Sequence, residues 1–254
     1  MTSPQLIAVR SPVRCVDGLR VAIQVQGEGD PLLLINGMTR PLQSWAPFTQ
    51  HLAGRKIITY DAPGVGASPT PLLPLSIGAL AALAVAVLAA AGLPDADQVD
   101  VLGFSHGGAV AQQLAKDQPL RLRRLVLAAT SCGVGATTGG RPPALRSIAA
   151  PRADRWQRPD PIGVLWQSLA FSSWSSIPFL GAIASPTLVV CGSRDRVVPP
   201  DNSRVLAARI PGARLVLLHA GHDLQRAEPA GSMARLVEGF APTSQQLLRE
   251  PANG

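Results

Sequence analysis

The sequence predicts a mostly parallel, doubly wound α/β sheet with a small inserted cap. Three observations lead there. Short, almost wholly apolar runs recur at Pro31–Ile35, Lys56–Tyr60, Val99–Phe104, Leu125–Ala128 and Thr187–Cys191. Runs of this kind mark strands buried on both faces of a parallel sheet. Segments of helical pattern lie between them, the alternation that builds βαβ units. At 254 residues the chain has the length for one large domain with a substantial core.

In order along the chain, Leu6–Val9, Val13–Val16 and Leu19–Val25 read as strands and give the sheet an antiparallel start. The buried run Pro31–Ile35 ends in the loop Asn36-Gly37-Met38-Thr39, and Trp45–Leu52 reads as a helix. Strand Lys56–Tyr60 is followed by Asp61-Ala62-Pro63-Gly64-Val65-Gly66-Ala67-Ser68, rich in turn residues. Leu75–Leu93 has no charge and approaches the length of a membrane span. Pro74 and Pro94 bracket it and charged sequence resumes on both sides, so a buried helix is preferred over a transmembrane one. Val99–Phe104 is the next strand and Ala109–Lys116 the helix after it; Leu125–Ala128 follows. From Thr130 to about Ala184 the rhythm breaks into glycines, prolines and three of the chain's four tryptophans, which reads as a cap of loops and short helices. Strands Thr187–Cys191 and Arg214–Leu218 and helices Ser203–Arg209 and Gly231–Phe240 complete the domain. The expected organisation is core over 1–130 and 185–242, cap over 131–184, and a flexible polar tail over 243–254.

The net charge of +7 comes almost wholly from arginine, with only Lys56 and Lys116 as lysines. The arginines are dispersed. The densest groups, Arg121, Arg123, Arg124 and Arg152, Arg155, Arg158, lack the aromatic interleaving of a single-strand binder, so no nucleic-acid partner is expected. Cys15, Cys132 and Cys191 are far apart, odd in number and without a C-x-x-C pair. That fits a reducing cytoplasm and predicts neither a disulfide framework nor a metal site. Met1–Arg14 has no basic segment followed by a long apolar one, so no signal peptide is expected.

The chemistry centres on Val101-Leu102-Gly103-Phe104-Ser105-His106-Gly107-Gly108. Gly103, Ser105 and Gly107 satisfy G-x-S-x-G, in which small neighbours let a strand turn sharply into a helix and project the serine hydroxyl above the sheet. A serine hydroxyl needs a base, and the base needs an acid to orient it. Beyond the elbow the histidines are His219 and His222. His222, in the loop after the last strand, is the chosen base, with His219 as the alternative. The acid is Asp195, in the turn Gly192–Pro199 after strand Thr187–Cys191. Asp201 is its rival, read instead as a helix cap, and Asp223 is too close along the chain to His222 to orient it. The oxyanion donors are expected to be the backbone N–H groups of His106 and Met38, with Gly37 permitting the loop's backbone. Gly37, Trp156, Trp166, Phe171 and Trp174 are the expected substrate contacts and suggest an apolar pocket with Met38. No cofactor is expected.

With these residues in place the chain resembles the α/β-hydrolase superfamily. Asn36-Gly37-Met38, Asp61–Ser68, the Ser105 elbow, and Gly192–Pro199 followed by Gly221-His222 stand in the family's order over roughly residues 20 to 240. The family commonly has His where this chain has Asn36, a residue that supports the loop. More narrowly, Tyr60–Pro71, Leu125–Thr130 and Ser173–Leu180 are similar to the intracellular medium-chain poly(3-hydroxyalkanoate) depolymerases. The chain departs from that group at His106, where Trp is expected, and in a shorter cap between Trp156 and Trp174. The resemblance implies an α/β-hydrolase fold, no cofactor, and a serine hydrolase acting on carboxylic esters of apolar acyl or 3-hydroxyacyl groups. Its substrate would be a small ester or a polyester. The competing readings are a non-hydrolytic or perhydrolytic reaction on the same scaffold (haloperoxidase-like, lyase or cyclase) and a binding protein without catalysis.

Overall fold

A computed structural model of the protein describes residues 12–93, 97–136 and 160–240. Among the described residues eight strands form one sheet: β1 (Val13–Val16), β2 (Leu19–Gln26), β3 (Asp30–Ile35), β4 (Arg55–Tyr60), β5 (Val99–Phe104), β6 (Leu122–Ala128), β7 (Thr187–Gly192) and β8 (Arg214–Leu218). Their order is β1-β2-β4-β3-β5-β6-β7-β8. The β1/β2 and β2/β4 pairs are antiparallel and the remaining pairs parallel. The expected strand at Leu6–Val9 lies outside the described residues.

The uninterrupted apolar strands have a simple cause. Side chains alternate between faces with a period of two, and here both faces are covered. Leu33, Ile35, Val101, Leu125, Leu127 and Val189 point into one core beneath α2 (Ile77–Ala90), α3 (His106–Asp117) and α5 (Pro200–Arg209). Leu32, Leu34, Leu102, Val126, Leu188 and Val190 point into the other, with Trp45 and Phe48 near α1 (Ala46–Thr49) and Met233 and Val237 of α6 (Ala227–Glu238). Between α3 and α5 in the chain lies α4 (Pro161–Ser172), part of the expected cap; the rest of that cap between 137 and 159 lies outside the described residues.

The charge-free segment is the buried helix α2. Ser76 starts it by accepting the Ala79 N–H at 3.1 Å, and Leu80, Leu83, Ala84, Val87 and Leu88 are buried. Its 14 residues rise about 21 Å, short of the roughly 30 Å of a bilayer core. Among the described residues no helix is long and apolar enough to cross a membrane.

Several helix boundaries differ from expectation, among them the start of α3, which is His106 where Ala109 was expected. The helix expected at Trp45–Leu52 is a 3₁₀ turn, Leu42–Trp45, running into the four-residue α1. The Asp61 carboxylate takes the Leu42 N–H at 2.7 Å and draws the turn upstream. Helices α5 and α6 start earlier than expected, because Pro200 and Pro229 fall in their first turns, where a missing N–H costs nothing.

The end of the sheet opposite the loops that follow the strands carries a buried ionic cluster. The Asp100 carboxylate accepts from Arg55 at 2.5 Å, from Arg123 at 2.9 Å and from Arg124. The three guanidinium groups hold its pKa well below the usual carboxylate range against the opposing effect of burial. Asp100 is expected to stabilise the fold fully above about pH 4 and to lose that contribution as the pH falls further, because only the unfolded chain takes up the proton there. Asp100→Asn, which removes the carboxylate shared by three guanidinium groups and leaves the buried Arg55 only the longer pair with Glu238, is expected to cost about 3–5 kcal/mol in urea denaturation at neutral pH. The gap from wild type should shrink below pH 4.

Candidate active site

The turn from β5 to α3 holds Ser105 at φ 53°, ψ −118°, a left-handed backbone that a serine adopts only under constraint. The Ser105 N–H donates to the Ala128 carbonyl at 2.9 Å, and the Thr130 hydroxyl donates to the Ser105 carbonyl at 2.7 Å. The flanking glycines are required by contact. A Cβ on Gly103 would lie 2.4 Å from the Gly107 carbonyl oxygen, and one on Gly107 would lie 2.2 Å from that of Ile35. A Cβ on Gly108 would strike the Thr130 side chain at 2.5 Å. The N-terminus of α3 is thereby pressed against the end of β3 and the Asn36–Thr39 loop.

Asp195 and His222 arrive from the ends of neighbouring strands. Strands β7 and β8 pair through Gly192 and Leu218. Beyond them the Arg194 N–H donates to the Ala220 carbonyl at 2.9 Å, and a Cβ on Gly192 would lie 2.2 Å from the Gly221 oxygen. Asp195 Oδ1 accepts from the Val197 and Val198 N–H groups at 2.8 and 2.9 Å, and its Oδ2 lies 2.8 Å from His222 Nδ1. His222 Nε2 lies 3.2 Å from Ser105 Oγ. A carboxylate only accepts, so Nδ1 carries the proton and Nε2 of the neutral ring can accept the serine's. The Asp195 side chain is fully buried and that of His222 is 14% exposed.

The rivals stand elsewhere. His219 is exposed. Asp201 does not cap its helix as expected; it lies within the first turn of α5 and pairs with Arg204 at 2.6 Å. Asp223 instead meets the buried Arg40. The Arg40 guanidinium and the His222 ring both stand 5.2 Å from the Phe104 ring centre.

The Asn36–Thr39 loop faces the elbow, with Gly37 so close that a Cβ there would meet the Phe104 ring at 3.0 Å and Ser105 Cβ at 3.3 Å. The Asn36 amide shapes it, donating to the Pro41 carbonyl at 2.9 Å and Ser44 Oγ at 2.7 Å and accepting the Gly37 N–H at 3.0 Å. The Met38 and His106 N–H groups make no hydrogen bond among the described residues. Helix α4 lies over this region. Gly64 and Gly163 touch through their backbones, Thr70 meets Asp160, and Trp166 Nε1 donates to the Pro71 carbonyl at 3.1 Å. Trp166 and Gln167 line a crevice with Pro63, Pro71, Leu75 and Leu80.

The expected substrate contacts divide. Phe171 stands with its ring centre 6.1 Å from that of His106. Trp174 is one ring further away, packs on the main core, and donates its Nε1 hydrogen to Gln113 Oε1 at 2.9 Å. Trp156 lies outside the described residues. Sequence reasoning missed Gln225, whose amide reaches Ser44 Oγ at 2.8 Å and Asn36 Oδ1 at 3.3 Å, and the Arg40–Asp223 pair. It also missed the support role of Asp61, which takes the Leu42 and Ala67 N–H groups at 2.7 and 2.8 Å and whose pKa burial raises. Only the turn-rich sequence around Asp61 signalled any of these.

Burial pushes the His106 pKa down to about 4, with the Gln167 backbone opposing the shift. The unfolded chain takes up a proton near pH 6.5 and the folded chain only near 4, so stability falls as the pH drops through that window. Replacing His106 with Phe is expected to remove roughly 3 kcal/mol of this acid-side loss. Denaturation profiles of both proteins between pH 7 and 4 check it.

The sequence model of the alpha/beta hydrolase family matches residues 32–236. The chain is 37% identical to a poly(3-hydroxyalkanoate) depolymerase of Ectopseudomonas oleovorans, over 88% of this chain and 89% of the relative. It is 31% identical to a 2-hydroxymuconate semialdehyde hydrolase of Pseudomonas putida, over 91% and 93%. Among solved structures it is similar to a hydrolase from Pseudomonas aeruginosa PA01, with TM-score 0.76 and 28% identity over 92% of this chain and 100% of that one.

Proposed function

The chain belongs to the alpha/beta hydrolase family, and from that premise we propose that it is a serine hydrolase of carboxylic esters working through Ser105, His222 and Asp195. The observation that carries the proposal is the unbroken hydrogen-bonded series from Asp195 through His222 to the strained Ser105.

The mechanism follows from that series. Ser105 Oγ attacks the ester carbonyl carbon while His222 Nε2 takes its proton, and Asp195 holds the ring and stabilises the imidazolium. The negative charge that develops on the carbonyl oxygen is met by the Met38 and His106 N–H groups, each worth about 3 kcal/mol of barrier. The carbon–oxygen bond to the alcohol breaks, and His222 returns the proton to the leaving alkoxide. Water, deprotonated by His222, then cleaves the acyl-enzyme to the free acid and restores Ser105. Met38, Trp166 and Phe171 make the surroundings apolar. They favour apolar acyl or 3-hydroxyacyl groups, in line with the polyester substrate in the name of the 37% identical relative. Three free cysteines, two of them buried, accord with a reducing cytoplasm.

Ser105→Ala is expected to lower kcat/KM for p-nitrophenyl esters by about 10⁴-fold or more, and Asp195→Asn by about 10³–10⁴-fold. A fluorophosphonate should label wild type and not Ser105→Ala. Equal hydrolysis by wild type and Ser105→Ala would falsify the proposal.

A further inference from the structure

The turn after β3 carries a strained residue. The Arg40 N–H donates to the Gly37 carbonyl at 3.2 Å, so Gly37–Arg40 close a four-residue turn with Met38 and Thr39 at its central positions. Thr39 has φ 64°, at the position where a turn of this kind calls for glycine. In a β-branched residue a left-handed backbone is a clear outlier, and it persists only where the surroundings hold it.

The holding contact comes from the cap. Gln167, in the middle of α4, is 4% exposed, and its Oε1 accepts the Thr39 N–H at 3.2 Å across 128 positions of sequence. A backbone N–H only donates, so the amide turns its oxygen to Thr39. The Gln167 Nε2 has no hydrogen-bond partner among the described residues. An amide buried with one end unused is costly. Methionine would supply the same bulk without that cost, so the group retained here is the oxygen. The next residue of α4 meets the other central residue of the turn, Ser168 Oγ standing 3.7 Å from Met38 Sδ. The helix is itself mounted on the loop after β4, through the Gly64–Gly163 contact, the Trp166 bond to the Pro71 carbonyl at 3.1 Å and the meeting of Asp160 with Thr70.

We propose that Gln167 is a positioning residue for the oxyanion hole: from the cap it holds Thr39 in its left-handed backbone and so fixes the turn that presents the Met38 N–H to the developing negative charge. The proposal rests on the ester-hydrolase reading of Ser105 and deepens it, because the seating of α4 then serves the chemical step as well as substrate binding. Without the Gln167 oxygen the Thr39 N–H loses its partner, and the threonine relaxes toward negative φ. That rotation turns the peptide between Met38 and Thr39 and loosens the turn. An oxyanion donor moved out of place costs rate at the transition state and little in ground-state binding. Thr39→Gly removes the dependence on the cap, because glycine takes a positive φ without strain.

Steady-state hydrolysis of p-nitrophenyl acetate, an ester with a minimal acyl group, tests this in wild type, Gln167→Met and Gln167→Met/Thr39→Gly, with circular dichroism to check folding. Gln167→Met is expected to lower kcat by about tenfold or more with KM within about twofold of wild type, and the added Thr39→Gly to recover most of the loss. A folded Gln167→Met with the kcat of wild type overturns the proposal. So does a double variant no faster than Gln167→Met, since the amide would then act otherwise than through Thr39, and so does a loss carried by KM alone. Where Gln167→Met does not fold, Gln167→Leu is read against the same outcomes. Wild type that neither hydrolyses the ester nor takes a fluorophosphonate overturns the hydrolase reading and this proposal together. Wild type that does both, beside an unmoved Gln167→Met, overturns the positioning role alone.

Discussion

The rest of the site depends on one constraint, the absence of room for a Cβ where β5 turns into α3. Gly107 lies against the carbonyls of Ile35 and Asn36 so closely that a Cβ would be 2.2 and 2.5 Å from them. That contact presses the start of α3 onto the end of β3. It accompanies the left-handed backbone of Ser105 and keeps the Gly37–Met38 loop close to that residue. The strain at Ser105, of order 1–3 kcal/mol, persists because the Ala128 carbonyl and the Thr130 hydroxyl hold the turn from β6. Gly192 plays the same part on the other side. Its contact with the Gly221 carbonyl lets the Asp195 turn and the His222 loop share backbone hydrogen bonds.

A buried polar network ties these loops together. Asn36, Ser44 and Gln225 join the loop after β3 to the segment after His222, and Asp61 joins the loop after β4 to Leu42. Each group is costly to bury and is kept by bonds to others equally buried. Asn36 stands where the family commonly has His, and its amide bonds Pro41, Ser44 and Gly37 at once, so the loop keeps its shape with a neutral, non-titrating group. Arg40 adds a charge to this network. It lies over Phe104, a ring that His222 also meets, and pairs with Asp223, the residue after the candidate base.

What the sequence made legible follows from these forces. The strands were readable because burial on both faces leaves only apolar side chains in Leu32–Ile35 or Leu125–Ala128. The order Ser105, Asp195, His222 was readable because each stands just past an apolar run, where a parallel sheet collects its loops. The supporting residues were not, because their partners are remote: Arg40 and Asp223 are 183 residues apart, Gln225 and Ser44 181. The position of β4 between β2 and β3 leaves no local trace either. Trp174 was expected at the substrate pocket, and the sequence left packing of the cap as the alternative for it. Its indole is held by Gln113 and packs in part on the core, since a tryptophan in a cap has two surfaces available and the sequence does not say which it covers.

The two ends of the sheet carry their charges for different purposes. At one end Asp100 gathers Arg55, Arg123 and Arg124 on one carboxylate. At the other end Asp195 pairs with no guanidinium among the described residues. It is held by two backbone N–H groups and a histidine. A guanidinium in that place would bind the carboxylate more tightly and leave less of its charge to favour the imidazolium. Backbone N–H groups fix the carboxylate's position while sparing its charge for His222. The stabilising ion cluster therefore has to stand away from the loops, and the sheet provides that separation by collecting all three loop residues at the ends of β5, β7 and β8 while Asp100 sits at the start of β5.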